Sequence, residues 1–252
     1  MTRDGSVETS GGRLAREIEH HRRIADHAEV IWNWDSPAGR VRVERRARLF
    51  IEATGLGSGQ RALELGCGTG LFLAHVASCG ASITGVDLSS ELLIRARGRS
   101  TPLGNIHVHC GNAEALPYRN ATFDVVYGSS ILHHLDLDHA LAEIFRVLKP
   151  GGRLAFTEPN ILNPQNAVMF GLTPAKTYFG LSPDEMAFSR WRAEKALAAA
   201  GFVDTSVRPF DFLHPATPRR LITLVATVGN VMELLPVVRE IAGSLFITAV
   251  HR

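Results

Sequence analysis

Residues 62–70 read Ala-Leu-Glu-Leu-Gly-Cys-Gly-Thr-Gly, and residues 82–87 read Ser-Ile-Thr-Gly-Val-Asp. The first stretch is a short apolar strand running into a glycine-rich turn, with Leu71-Phe72-Leu73-Ala74 opening a helix behind it. Glycines at 66, 68 and 70 allow a tight turn and let a ligand approach where a Cβ would collide. The second stretch is another apolar strand, and it ends in a carboxylate, Asp87, placed to accept hydrogen bonds from a ribose diol. Together they predict a nucleoside-containing cofactor lying across the C-terminal ends of a parallel sheet.

The dinucleotide fingerprint is G-x-G-x-x-G. Here Gly66, Gly68 and Gly70 are separated by single residues, and Glu64 stands two positions ahead of them. That carboxylate repels a pyrophosphate and attracts a cofactor carrying an ammonium and a sulfonium. The spacing therefore favours S-adenosylmethionine (SAM) over NAD, and it resembles motif I of the class I SAM-dependent methyltransferases.

Further segments carry the same resemblance. Residues 105–118, Asn-Ile-His-Val-His-Cys-Gly-Asn-Ala-Glu-Ala-Leu-Pro-Tyr, resemble the family's third strand and adenine loop. Phe123-Asp124-Val125-Val126-Tyr127 and Ile131-Leu132-His133-His134-Leu135 resemble its fourth strand and the helix start that follows. Arg146-Val147-Leu148-Lys149-Pro150-Gly151-Gly152-Arg153-Leu154 resembles its turn into strand five. The likeness runs in order over residues 40–160. It implies an α/β fold, a Rossmann-like, doubly wound, mostly parallel sheet of seven strands in the order 3-2-1-4-5-7-6. It also implies cofactor contacts from Glu64, Gly66, Cys67, Gly68, Gly70, Asp87, Leu88, Asn112, Ala113 and Ser129. One position departs from the pattern: the family usually carries aspartate where this chain has Asn112. Asparagine keeps a carbonyl oxygen for the adenine amino group but adds an NH₂ that needs its own partner.

A length of 252 residues suits one domain with elaborations. The net charge of +2 is too small to argue for nucleic acid as a partner. Three cysteines, at 67, 79 and 110, lack zinc spacing and make a poor disulfide framework, so a reducing, cytoplasmic setting is expected. Residues 1–12 are polar, Gly/Ser-rich and without an apolar leader core, and are predicted to form a disordered tail. Residues 13–54 are expected to form a helical cap, and 55–252 the cofactor domain.

Within the cap, one helix is predicted over Arg13–Asn33 and a second over Arg40–Ala53. The second carries Arg40, Arg42, Arg45, Arg46 and Arg48. These read as a solvated face, or else as an anion patch or a clamp for the cofactor carboxylate. Residues 61–158 alternate between strand and helix patterns, as βαβ units do. Residues 159–183 read as a Pro/Asn-rich loop. Ser182-Pro183-Asp184-Glu185 reads as the cap of a helix reaching Ala200, with Gly201 as its stop. Residues 202–212 and 244–250 read as strands six and seven. Between them, insertion 213–243 is apolar but broken by Gly229-Asn230, Glu233 and Pro236, too interrupted to span a bilayer. One or two amphipathic helices are expected there, as an acceptor-pocket wall or lid, with dimer contact and membrane attachment as alternatives.

His133 and His134 fall just after strand four, at the sheet edge where open α/β folds place ligands. One of them is expected to remove or relay a proton, near-neutral imidazole being suited to that task; the alternative is helix capping or packing. The family often has His-His here even where the acceptor atom is carbon, so the pair does not fix that atom. His20-His21 and His27 lie on the first helix, either exposed or folded over the cofactor. Neither H-E-x-x-H nor paired C-x-x-C occurs, so no metal is predicted. Trp32, Trp34 and Tyr178 are candidate acceptor walls or plain packing residues. The resulting expectation is methyl transfer to a small, fairly apolar acceptor such as a secondary metabolite or quinone-like compound. A lipid-linked or saccharide acceptor at a membrane surface, and a non-catalytic SAM-binding regulator, are the alternatives, and a homodimer stays open.

Overall fold

The computed structural model describes residues 10–178, 181 and 185–252. The chain opens with helix α1 (Ser10–Ile24), a 3-10 turn at Ala25–His27, a short α2 (Ala28–Ile31) and α3 (Pro37–Thr54). There follow β1 (Arg61–Leu65), α4 (Leu71–Val76), β2 (Ser82–Asp87), α5 (Ser90–Ser100), β3 (Ile106–Cys110), β4 (Phe123–Ser129), α6 (Leu137–Val147) and β5 (Leu148–Pro159). The last part holds α7 (Pro164–Gly171), α8 (Thr173–Tyr178), α9 (Arg190–Ala199), β6 (Val203–Phe210), α10 (Ile222–Met232) and β7 (Ser244–Val250).

The strands form one sheet in the order β3-β2-β1-β4-β5-β7-β6. Strands β1 to β5 pair parallel, and β7 runs antiparallel to both β5 and β6. The expected topology is therefore the observed one. Helices cover both faces, so the central strands are apolar on both sides. Successive residues divide between two cores, as the two-residue strand repeat requires. Leu63, Val126, Phe156 and Ile247 join α6 and α9 in one core. Ala62, Val125, Tyr127 and Phe246 join α3, α4 and α5 in the other.

Several helix boundaries differ from expectation for local reasons. Ser10 is already helical, so the polar start does not reach Gly12 as a tail; residues 1–9 lie outside the described part. The first helix does not run unbroken to Asn33 but tightens at Ala25–His27 and ends at Ile31. Helix α3 begins earlier than Arg40, because Ser36 accepts a bond from the Gly39 amide and Pro37 fits the first turn. Residues 159–183 are not only loop: Asn163 caps α7 by accepting from Gln165 and Asn166, and α8 follows. The cap expected at 182–185 falls partly outside the described residues. Helix α9 starts instead at Arg190, where the Ser189 side chain accepts from the Arg192 amide. Among the described residues no helix is long and apolar enough to cross a membrane.

Candidate active site

At the C-terminal edge of the sheet, β1 runs into the glycine turn. Gly66 has φ +63°, and a Cβ there would lie 2.5 Å from Ile131 Cδ1. Any side chain at 66 would thus collide and be strained as well. Gly68, at φ +49°, faces the Trp32 ring 3.5 Å from where its Cβ would be. Asp87 ties β2 to this turn: Oδ2 accepts from the Gly68 amide at 2.8 Å, and Oδ1 from the Ser89 amide at 2.9 Å. Each oxygen keeps a lone pair for a further donor.

Glu64 is buried beneath the turn, and its Oε2 has no hydrogen-bond partner among the described residues. The buried Tyr127 hydroxyl near it makes no well-formed hydrogen bond either, though it is close enough to act on the Glu64 carboxyl. Burial pushes the Glu64 carboxyl well above its usual range; the Tyr127 hydroxyl pulls it down and the Asp87 charge adds to the rise. A buried carboxylate oxygen without a partner is costly. An ammonium-bearing cofactor seated over the turn would satisfy it, so these residues fit SAM.

The other candidate cofactor residues line the same edge. Asn112 Oδ1 accepts from the Glu114 amide at 2.9 Å, closing its loop as an Asx turn. Ala113 is part of the core, and Leu88 is half-buried. Cys67 is buried, which pushes its thiol well up. Ser129 Oγ is engaged within the protein, by Thr157 Oγ1 at 2.9 Å and Arg46 Nη1 at 3.2 Å.

His133 and His134 lie side by side, ring centroids 4.1 Å apart, in the turn after β4. His133 is buried, and its Nδ1 is 2.7 Å from Glu158 Oε2 at the end of β5. The other oxygen, Glu158 Oε1, accepts from the amides of Ile131 at 3.0 Å and Leu132 at 2.8 Å. The carboxylate therefore holds both the ring and the backbone that carries it. With Glu158 accepting throughout, Nδ1 carries the imidazole proton and Nε2 offers its lone pair. His134 Nδ1 is 3.1 Å from Glu17 Oε2 on α1. Burial alone would lower the His134 pKa, but the Glu17 bond and the charges of Glu185, Glu17 and Glu158 outweigh it and raise it. Phe170 of α7 stands edge-on to His133 at 5.9 Å.

The cap is anchored to this edge. Arg13 pairs with Glu114, and Glu29 pairs with Arg95 at 3.3 Å and Arg99 at 3.0 Å. Of the α3 arginines, three are neither a solvated face nor an open anion patch. Arg42 and Arg46 bond Asp211 at 2.8 and 3.0 Å, and Arg45 grips Glu233 through both terminal nitrogens at 2.8 and 2.7 Å. Trp34 is packed edge-on to Phe72 at 5.6 Å. Tyr178, at 85% exposure, lines no enclosed space here. His27 is exposed, and the His21 side chain lies outside the described part. Glu17 and Glu158 carry no role in the sequence reading, and Glu185 reads there only as part of a helix cap. Only the stretch Thr157-Glu158-Pro159, a charge closing an apolar strand, held a signal.

A family described as "Methyltransferase domain" matches residues 63–156. An O-methyltransferase of Aspergillus nomiae is 34% identical over 150 residues, which cover 54% of this chain and 67% of that one. The chain belongs to the class I SAM-dependent methyltransferases. An O-methyltransferase of Penicillium expansum is 34% identical over 134 residues, 50% of this methyltransferase-family chain and 49% of that protein. The first curated relatives are matched over half their length or less, at 49%, 34% and 39%. A solved SAM-dependent methyltransferase from Thermotoga maritima, described as a possible histamine N-methyltransferase, superposes with TM-score 0.65 at 22% identity. It covers 93% of this chain and 99% of its own, a likeness of fold.

Proposed function

We propose that this class I methyltransferase transfers a methyl group from SAM to an oxygen atom of a small, fairly apolar acceptor. The observation that carries the reading is the meeting, on one sheet edge, of the orphaned Glu64 beside the glycine turn and the buried His133–Glu158 pair. SAM, when bound, supplies an electrophilic methyl on a sulfonium and leaves as the neutral thioether. Glu64 and Asp87 would hold its ammonium and ribose, with Asn112 at the adenine. The acceptor oxygen would be activated at His133 and His134, where its proton is given up. Phe170 against His133 favours an apolar acceptor body, and the oxygen acceptor is favoured by relatives described as O-methyltransferases. Holding the two reactants in line with water excluded supplies much of the rate.

The partners in this reading are the cofactor and the acceptor, with no nucleic acid. Free Cys67, Cys79 and Cys110 fit a cytoplasmic setting. One observation favours a second acceptor class: Leu224 and Val231 of α10 are 61% and 55% exposed on the helix that follows Arg219 and Arg220, which suits a lipid-linked acceptor at a membrane surface. The test is incubation with methyl-labelled SAM and a panel of apolar phenols and hydroxy compounds, with product masses recorded. Labelled ether and released S-adenosylhomocysteine are expected. SAM binding without transfer to any acceptor would replace this reading by that of a SAM-binding regulator. Transfer only in the presence of sedimenting vesicles would favour the lipid-linked class.

A further inference from the structure

We propose that His133, His134 and Glu185 form a binding site for one divalent transition-metal ion. The site stands on its own geometry; its role in acceptor activation rests on the methyl-transfer reading above.

One donor atom from each of the three residues lies within 4.8 Å of the other two. The Glu185 carboxylate spans the two rings, with Oε2 3.8 Å from His133 Nε2 and Oε1 3.8 Å from His134 Nδ1. Those separations are too long for hydrogen bonds. They are near what a shared ion requires. A metal about 2.1 Å from each donor sets neighbouring donors roughly 3.0–3.5 Å apart, so a contraction of a few tenths of an ångström closes the site. Glu17 Oε2, hydrogen-bonded to His134 Nδ1 at 3.1 Å, becomes the fourth donor when the ion displaces the proton between them.

The support behind the donors is also present. Glu158 accepts a hydrogen bond from His133 Nδ1 and so leaves the Nε2 lone pair facing the cluster. A carboxylate behind a ligating histidine orients the ring and raises its basicity. Glu17, Glu158 and Glu185 are all buried around the two imidazoles, so oxygen and nitrogen donors converge on one spot. Two imidazoles with carboxylates suit zinc, manganese, iron or cobalt better than calcium. The donors come from three separate segments, which is why no metal spacing is visible in the sequence and why none was predicted there. With the ion bound, the two rings would act on the acceptor through it: the dication would favour loss of the hydroxyl proton to the unligated oxygen of the Glu185 carboxylate, the bonding pair remaining on oxygen.

The test uses the full chain, stripped with chelator and then titrated with Zn²⁺ by calorimetry and with Co²⁺ by visible absorption. One ion per chain is expected, with ligand-field bands of imidazole-coordinated Co²⁺. His133→Ala and Glu185→Gln should each weaken binding tenfold or more, while circular dichroism and SAM affinity stay as in the wild type. Absence of stoichiometric uptake by the wild type overturns the proposal, whatever the variants do. Uptake unchanged in both variants overturns it equally, because the ion then sits elsewhere. Metal binding is read without turnover. A stripped protein that takes up no metal and still methylates its acceptor would therefore sink this site and leave the methyl-transfer reading standing.

Discussion

Asp87 illustrates how much one side chain carries. Oδ2 braces the glycine turn through the Gly68 amide, Oδ1 accepts from the Ser89 amide, and each oxygen keeps a lone pair for a further donor. Asp87→Ala should weaken SAM binding by about 1.5–3 kcal/mol, or roughly ten- to a hundredfold, read by calorimetry. Unchanged affinity would remove the residue from the cofactor site. Glu158 makes a different kind of contribution, through His133. Glu158→Gln keeps the shape but offers an NH₂ where two amides or the ring now donate. A fall in kcat of about 10²–10⁴ is expected with SAM affinity nearly unchanged, and full turnover would show that the ring needs no such support. The pairing of the glycine turn with Asp87, 19 positions apart, was legible in sequence because each closes its own apolar strand in a recognisable pattern. The pairing of His133 with Glu158 was not. His133 meets a carboxylate 25 positions away and His134 one 117 positions away, so the pairs exist only once the sheet edge is assembled.

Helix α3 and the segment after β6 show the same limit between elements. A run of arginines on one helix reads as solvated because its partners are invisible locally. Arg42 and Arg45 find theirs 169 and 188 residues later, in Asp211 and Glu233. By contrast, β7 was readable in full, because a two-sided buried strand is apolar throughout its length. The insertion is less buried than its apolar content led one to expect: within α10 only Gly229 is fully buried, Ile222, Val225 and Met232 are half-buried, and Leu224, Val228 and Val231 are exposed. If α10 forms the rim of the acceptor site, replacing Met232 and Leu235 by serine should raise the acceptor KM and leave SAM binding and molecular mass alone. Light scattering together with kinetics checks this. A change from dimer to monomer with intact kinetics would make α10 an interface instead.

Across the whole molecule, stability in acid should turn on Asp211. Burial would raise its carboxyl, but Arg42 and Arg46 outweigh burial and hold it at about 2, against an ordinary 3.8. The unfolded chain therefore binds the proton first as pH falls. The contribution is complete above about pH 4 and is lost between about pH 4 and pH 2, on the order of 2.5 kcal/mol. Urea midpoints measured through that window should fall in the wild type and fall less steeply in Asp211→Asn; parallel slopes would assign the acid loss to other groups.

The position of β7 has a consequence in time. It lies between β5 and β6, pairing with one through Arg153–Pro159 and with the other through Val203–Phe210, yet it is synthesised after both. A growing chain on the ribosome can close β1 to β5 early. It must then carry β6 without its sheet neighbour, and with strand edges open to other chains. A chain stopped at residue 243 should accumulate in the insoluble fraction or on chaperones rather than as a smaller folded protein. Recovery of that truncation as a soluble, SAM-binding monomer would show that the first six strands stand without the last.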